Sequence, residues 1–179
     1  MPRYAAFLRA VNVGGHVVKM DWLRQLFEET GFTGVSTHLA SGNVLFTAGR
    51  GRAARLEEKI EKSLEAALGW DVATFLRTPA EIAAVAAHQP FTAEAVGEAH
   101  GIYVGFLKEP LGPAQLELVN GLKTETDELA AAGREVFWLS RVRVTESSFS
   151  AAQLEKVLGA RATFRNVNTV RAVAAKLSG

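Results

Sequence analysis

The chain contains no cysteine, which excludes a disulfide framework, a thiol nucleophile, iron–sulfur clusters and any zinc site built on Cys ligands. It has no apolar run approaching the roughly 20 residues that a membrane-spanning helix needs. It has almost no net charge: twenty Lys+Arg against nineteen Asp+Glu leave +1, too little to argue for a nucleic-acid or membrane partner. The apolar stretch from Tyr4 to Val13 carries Arg9 and lacks a small-residue cleavage site. It is a poor signal peptide, and the cytoplasm is the expected location. The four histidines, His16, His38, His88 and His100, show no i,i+4 pair and no H-E-x-x-H, so no metal site is expected; His38 reads as a half-buried packing residue. Gly-x-Ser-x-Gly is absent, no residue is assigned a catalytic role, and no cofactor is indicated.

What is present is an ordinary globular balance, 48% hydrophobic and 22% charged, in 179 residues. A chain near this size buries roughly 70% of its unfolded surface and needs no metal or disulfide to be stable. The charge is uneven. Residues 78–130 hold two basic and eight acidic side chains, whereas residues 134–179 hold eight basic and three acidic. Charge runs of this kind read as solvated faces, with an anion-facing surface as the alternative.

The apolar run Tyr4–Val13 reads as a central strand, broken by Gly14-Gly15. A helix follows over Lys19–Thr30, with Gly31 at its end. Val35–Ala40 and Val44–Thr47 read as strands joined by the turn Ser41-Gly42-Asn43. Leu56, Ile60, Leu64 and Leu68 mark the next helix, with Glu57, Glu58, Glu61 and Lys62 on its other faces and Gly69 closing it. A strand over Val72–Arg77 completes a β-α-β-β-α-β order, followed by a helix opened by the capping box Thr78-Pro79-Ala80-Glu81. Strand Ile102–Leu107, a helix from Gly112-Pro113 to about Leu122, and a hairpin over Asp127–Ala131 and Glu135–Leu139 open the second half. A helix capped at Ser150, a short strand at Ala162–Phe164 and a terminal helix from about Val170 close it. The expected fold is α+β, a structural duplication of two ferredoxin-like halves: residues 1–89, a connector at 90–99, and residues 100–179 ending in the helix. No residue-level repeat between the halves is evident.

Three motifs stand out: Leu8-Arg9-Ala10-Val11-Asn12-Val13-Gly14-Gly15, Ser41-Gly42-Asn43-Val44-Leu45-Phe46, and Thr163-Phe164-Arg165-Asn166-Val167-Asn168-Thr169-Val170. Together, in this order and spacing, they resemble the bacterial family catalogued as domain of unknown function 1697. That family's closing motif usually carries Trp where this chain has Val167. The resemblance implies a duplicated ferredoxin-like fold and no known activity.

The topology of a β-α-β-β-α-β unit brings the motifs together. The first strand lies antiparallel beside the third, so Asn12 falls near Asn43, and the turn Ser41-Gly42-Asn43 lies at the same end. The first helix starts there as well, with Lys19 and free N–H groups that attract anions. The expected ligand set is Arg9, Asn12, Gly14, Gly15, Lys19, Ser41, Gly42 and Asn43, joined from the second half by Arg165, Asn166, Asn168 and Thr169. The expected ligand is small and anionic or amide-bearing. The alternative for these residues is that asparagine and glycine only fix turns and cap helices, as they commonly do. A ligand role implies that Asn43→Ala leaves the unliganded protein's stability nearly unchanged; a turn-fixing role implies a large loss. Two other function classes stay open: a single-stranded nucleic-acid module using Tyr4, Phe7, Phe46 and Phe75 on an open sheet face, with Arg50, Arg52 and Arg55 as a basic cluster, and a protein-interaction domain without a ligand.

Overall fold

The computed structural model describes residues 1–12 and 15–179. Two compact units divide the chain. The first is Met1–Ala84 together with Ala172–Gly179, and the second is Val85–Arg171. Residues 90–99, expected as a connector, carry a short helix of their own, Ala93–Glu98. Among the described residues, no helix is long and apolar enough to cross a membrane.

The first unit is built on strand β1 (Arg3–Leu8), helix α1 (Met20–Glu29), strands β2 (Thr33–Thr37) and β3 (Asn43–Thr47), helix α2 (Ala53–Leu68) and strand β4 (Thr74–Arg77). The sheet order is β2-β3-β1-β4, and β1 runs antiparallel to both neighbours. β1 is shorter than its apolar run suggests. Ala10 adopts a left-handed φ of 58°, which turns the chain out of the sheet after the last ladder bond, Arg9 N–H to the Ala73 carbonyl at 2.9 Å. Alternate residues face opposite ways. Tyr4, Ala6 and Leu8 join Val44, Phe46 and Leu76 under α1 and α2, with Leu23, Phe27, Ile60 and Leu64 from the helices. The other face carries Ala5, Phe7, Leu45, Phe75 and Arg77, and these are buried too.

Among the described residues no fifth strand pairs with the outer edge of β4, and α2 supplies what one would provide. Glu57 Oε2 accepts the Leu76 N–H at 3.2 Å, and Glu61 Oε1 accepts the Thr74 N–H at 2.9 Å. Both edge donors are satisfied by side chains, which also blunts the edge against further pairing. Glu57, expected on a face other than the Leu56–Leu68 stripe, is buried among the helix's inward residues.

Helix α3 (Pro79–Ala87) starts at the expected capping box, with both of its bonds present. In the second unit α4 (Ala93–Glu98) precedes β5 (Gly101–Phe106), α5 (Pro113–Asn120), the hairpin β6 (Asp127–Ala132) and β7 (Glu135–Ser140), α6 (Ala151–Leu158), and β8 (Thr163–Asn166). Its sheet order, β6-β7-β5-β8, repeats that of the first unit. Helix α7 (Val167–Ser178) follows. Its last residues belong to the first unit, where the Arg3 guanidinium donates to the carbonyls of Leu177 at 2.8 Å and Lys176 at 3.3 Å. A cation on the free carbonyls of a helix C-terminus also complements the helix dipole.

The registers expose a residue-level repeat. Ala5 pairs with Arg77 in the first sheet and Val104 with Arg165 in the second. This alignment superposes Tyr4-Ala5-Ala6-Phe7-Leu8 on Tyr103-Val104-Gly105-Phe106-Leu107, and Arg77-Thr78 on Arg165-Asn166. Tyr4 stacks on Phe46 as Tyr103 packs on Trp138. Glu155 of α6 accepts the Ala162 N–H at 3.2 Å, the place that Glu61 fills for Thr74.

In the second unit a buried carboxylate ties the chain beyond β7 to the sheet. Asp127 accepts from Trp138 Nε1 and from Ser147 Oγ, each at 2.7 Å, from Thr126 Oγ1, and from the Ser148 N–H at 3.3 Å. Burial pushes this carboxyl up, and the bonds from Thr126, Ser147, Trp138 and Ser140 outweigh it, so it titrates below the usual carboxylate range. A lowered folded pKa gives stability that is present above the unfolded value, about 3.9, and lost as pH falls through the folded value. Asp127→Asn is therefore expected to cost roughly 1–3 kcal/mol at pH 7 in urea unfolding. It should also remove part of the acid-side loss of stability; a variant as stable as wild type at pH 7 contradicts the clamp.

Candidate functional site

The C-terminal end of β1 is where the first two motifs meet. The Leu8 N–H donates to the Gly42 carbonyl at 2.9 Å, which sets the β2–β3 turn against the end of the strand. Gly42 has φ 89°, and a Cβ there would stand 3.1 Å from the Leu8 Cβ and 3.3 Å from Val11 Cγ2. Both its backbone angle and its close approach require glycine.

Asn12 joins three segments. Its Nδ2 donates to the Ala40 carbonyl at 2.6 Å and to the Val18 carbonyl at 3.2 Å, and its Oδ1 accepts the Val18 N–H at 2.6 Å. The loop after β1, the approach to α1 and the β2–β3 turn are thereby held at one end of the sheet. Asn43 works within the turn. Its Nδ2 donates to the His38 carbonyl at 2.7 Å and to Ser41 Oγ at 3.0 Å, while its own carbonyl accepts the His38 N–H at 2.9 Å. The expected convergence of Asn12, Lys19, Ser41, Gly42 and Asn43 is present, but the carboxamides are occupied. Both Nδ2 protons of each asparagine are used within the protein, and Asn43 is only 1% exposed. These two residues fix the site rather than face a ligand.

Lys19 is exposed and stands at the N-cap of α1 with extended backbone. It makes no side-chain cap bond, so the first-turn N–H groups receive none from it. Asp21 in the same turn offsets part of the positive potential. Beside it lies a groove of about 280 Å³ lined by Val17, Val18, Lys19, Trp22 and Leu68. The residues next along both walls also meet, with the His16 and Trp70 rings 3.9 Å apart. Among the described residues, the buried Trp70 Nε1 has no hydrogen-bond partner, an arrangement that costs on the order of 1–3 kcal/mol. Sequence reasoning missed Trp22, Leu68 and Trp70. The available signal was Trp22, one turn after Lys19 on a helix whose inward stripe, Leu23, Leu26 and Phe27, does not include it.

His38, half-buried as expected, contributes more than packing. Its Nδ1 lies 2.7 Å from Lys176 Nζ, at the end of α7 that belongs to this unit. An ammonium can only donate, so Nδ1 accepts and the proton of the neutral ring sits on Nε2. Burial first, and the Lys176 charge second, hold this imidazole below its usual 6.5.

The other expected residues are placed as follows. Arg9 is half-buried at the end of β1, and Gly15 is exposed with φ 85°. Gly14 lies outside the described residues. Arg165, Asn166, Asn168 and Thr169 belong to the second unit. Arg165 is buried, donates to Thr163 Oγ1 at 2.7 Å and to the Phe164 carbonyl at 2.9 Å, and burial lowers it to about 10, so it stays charged at neutral pH. Asn166 Oδ1 accepts the Asn168 N–H at 2.8 Å and caps α7. Asn168 Oδ1 lies 3.4 Å from Arg171 Nη1. The repeat accounts for the first two, since Arg77 is likewise buried and donates to the carbonyl of its preceding residue at 2.8 Å, and Thr78 likewise caps the helix that follows. Among the described residues no group of three or more His, Asp or Glu is placed to hold a metal.

Two outcomes follow. Asn43→Ala and Asn12→Ala should each lower stability by roughly 1–3 kcal/mol in urea titration, because each strands carbonyls that now receive a proton; unchanged midpoints would return the asparagines to a ligand role. By NMR, His38 should titrate below 6.5, and Lys176→Met should move it upward. The corresponding stability is complete above pH 6.5 and declines as pH falls below it. A His38 midpoint at or above 6.5 removes the Lys176 contact from this account.

The chain matches the family model described as "Protein of unknown function (DUF1697)" over residues 1–137, and it belongs to that family. A solved structure described as a conserved bacterial protein from Streptococcus pneumoniae is similar at 27% identity and TM-score 0.78, covering all of this chain and 99% of that one. No curated protein matches the chain.

Proposed function

Starting from membership of a family whose description assigns no activity, we propose that this is a cytoplasmic protein that binds a small anionic ligand where β1, the β2–β3 turn and the start of α1 converge. The observation that carries this reading is the position of Lys19. It stands exposed at an N-cap without a side-chain cap bond, on the wall of a groove of about 280 Å³. Free N–H groups, the positive end of the helix dipole and an ammonium all favour negative charge there. Asn12 and Asn43 hold this end in shape through backbone bonds, which gives the site a preformed frame. The frame also contains two non-glycine residues in left-handed conformation, Ala10 and Leu39, the latter 58% exposed.

The competing nucleic-acid reading finds less support. It needs aromatic side chains on an open sheet face, and Tyr4, Phe7, Phe46 and Phe75 are all buried.

The test is a thermal-shift panel of small anions at fixed ionic strength, on wild type and Lys19→Ala. A ligand present at about 100 times its dissociation constant adds roughly 2.7 kcal/mol of stability. The expected result is at least one anion that stabilises wild type and loses its effect in Lys19→Ala. Stabilisation that survives the substitution, or none by any anion, overturns the proposal.

A further inference from the structure

We infer that the ligand, on the reading that Lys19 receives an anion, is an amphipathic carboxylate with an aromatic or similarly compact apolar body. The charge partner and the groove belong together, because Lys19 is itself part of the groove wall. Every other described residue of that wall, Val17, Val18, Trp22 and Leu68, is apolar or aromatic. A free inorganic anion would satisfy Lys19 and leave this wall unused. An apolar body without charge would fill the wall and leave Lys19 unused. A molecule with a carboxylate at one end and a ring at the other meets both.

Size points the same way. A cavity of about 150 Å³ lined by aliphatic and aromatic groups accepts one benzene ring. At about 280 Å³, this groove has room for a ring and a short carboxylate arm, and it falls just below the range of drug-sized sites. Trp22 offers a ring face for such a body to pack against. The wall is also poorly satisfied by the protein itself: Val17 is 82% exposed. Asp21 lies in the same helical turn as Trp22, and its charge disfavours polyanions such as a pyrophosphate more than a single carboxylate. The groove lies wholly within the first unit, so the ligand requires only residues 17–22 and the end of α2.

The experiment compares phenylacetate, acetate and inorganic phosphate as probes, by calorimetric titration and by tryptophan fluorescence. Of the three tryptophans, Trp138 is buried in the second unit and Trp70 is retained in the variant, so a fluorescence change lost in Trp22→Phe reports Trp22 and with it the groove. Phenylacetate is expected to bind at least roughly tenfold more tightly than acetate, from burial of its ring. Lys19→Ala should remove the binding, and Leu68→Asn, which removes apolar wall without adding charge, should weaken phenylacetate without weakening phosphate. Far-UV circular dichroism and melting temperature confirm that each variant is folded; should Leu68→Asn fail to fold, Trp22→Ala takes its place with the same expectation. If phosphate or acetate binds through Lys19 as tightly as phenylacetate, this inference fails while the anion reading stands. If none of the three binds, this inference fails, and the anion panel decides the reading on which it rests. If phenylacetate binds equally well to Lys19→Ala, both are overturned.

Discussion

The end of the first sheet depends on one carboxamide. Asn12 bonds both to the approach to α1 and to the β2–β3 turn, through Val18 on one side and Ala40 on the other. Each of these contacts satisfies a backbone group that would otherwise need water or a different partner. The loop after β1 therefore has little freedom, and the position of Lys19, next to Val18, follows from it. Gly42 is the steric counterpart, since the turn can lie against Leu8 and Val11 only where no Cβ intervenes. The shape of this end of the sheet is a by-product of satisfied main-chain polarity. The asparagines set that shape, and Val17 and Lys19 are left exposed beside them.

The same economy governs the sheets. Each unit has an edge strand beside its central strand, and each closes that edge with glutamates from the preceding helix, Glu57 and Glu61 in the first and Glu155 in the second. Each edge strand also contains a buried arginine that bonds to the carbonyl just before it, and is followed by a side chain that caps the next helix. Because the devices recur at matching registers, the Arg165-Asn166 pair is explained by its copy at Arg77-Thr78. A motif that looked too polar for packing proves to be the second instance of a strand-to-helix joint.

The two halves differ in what fixes their loops. In the first unit the work is done by neutral carboxamides, and in the second by a buried carboxylate, Asp127, surrounded by hydroxyl and indole donors. A carboxylate can accept several bonds at once and holds a long segment such as residues 141–149 at a single point. The cost is dependence on ionisation, which the amide frame of the first unit avoids.

The sequence by itself determined the element order, the capping boxes at Thr78 and Ser150, the turn at Gly42 and the meeting of the segment after β1 with the β2–β3 turn. These follow from local rules: apolar period, cap chemistry and the antiparallel pairing of the first and third strands. It also carried the three motifs that mark the family. Tertiary structure alone decided what each polar side chain is for. Whether a carboxamide faces solvent or a carbonyl depends on which backbone groups the sheet leaves unpaired at its end, and no local pattern reports that. Glu57 stands three residues before Ile60 and seven before Leu64, on the buried face of α2, but its carboxylate has a partner there only because packing brings it to the open edge of β4. The repeat of Tyr4-Ala5-Ala6-Phe7-Leu8 in Tyr103-Val104-Gly105-Phe106-Leu107 was hidden by substitutions until strand register aligned it. The groove beside Lys19 was equally invisible, because its walls come from two segments nearly 50 residues apart in the chain, and only packing brings Leu68 to Trp22.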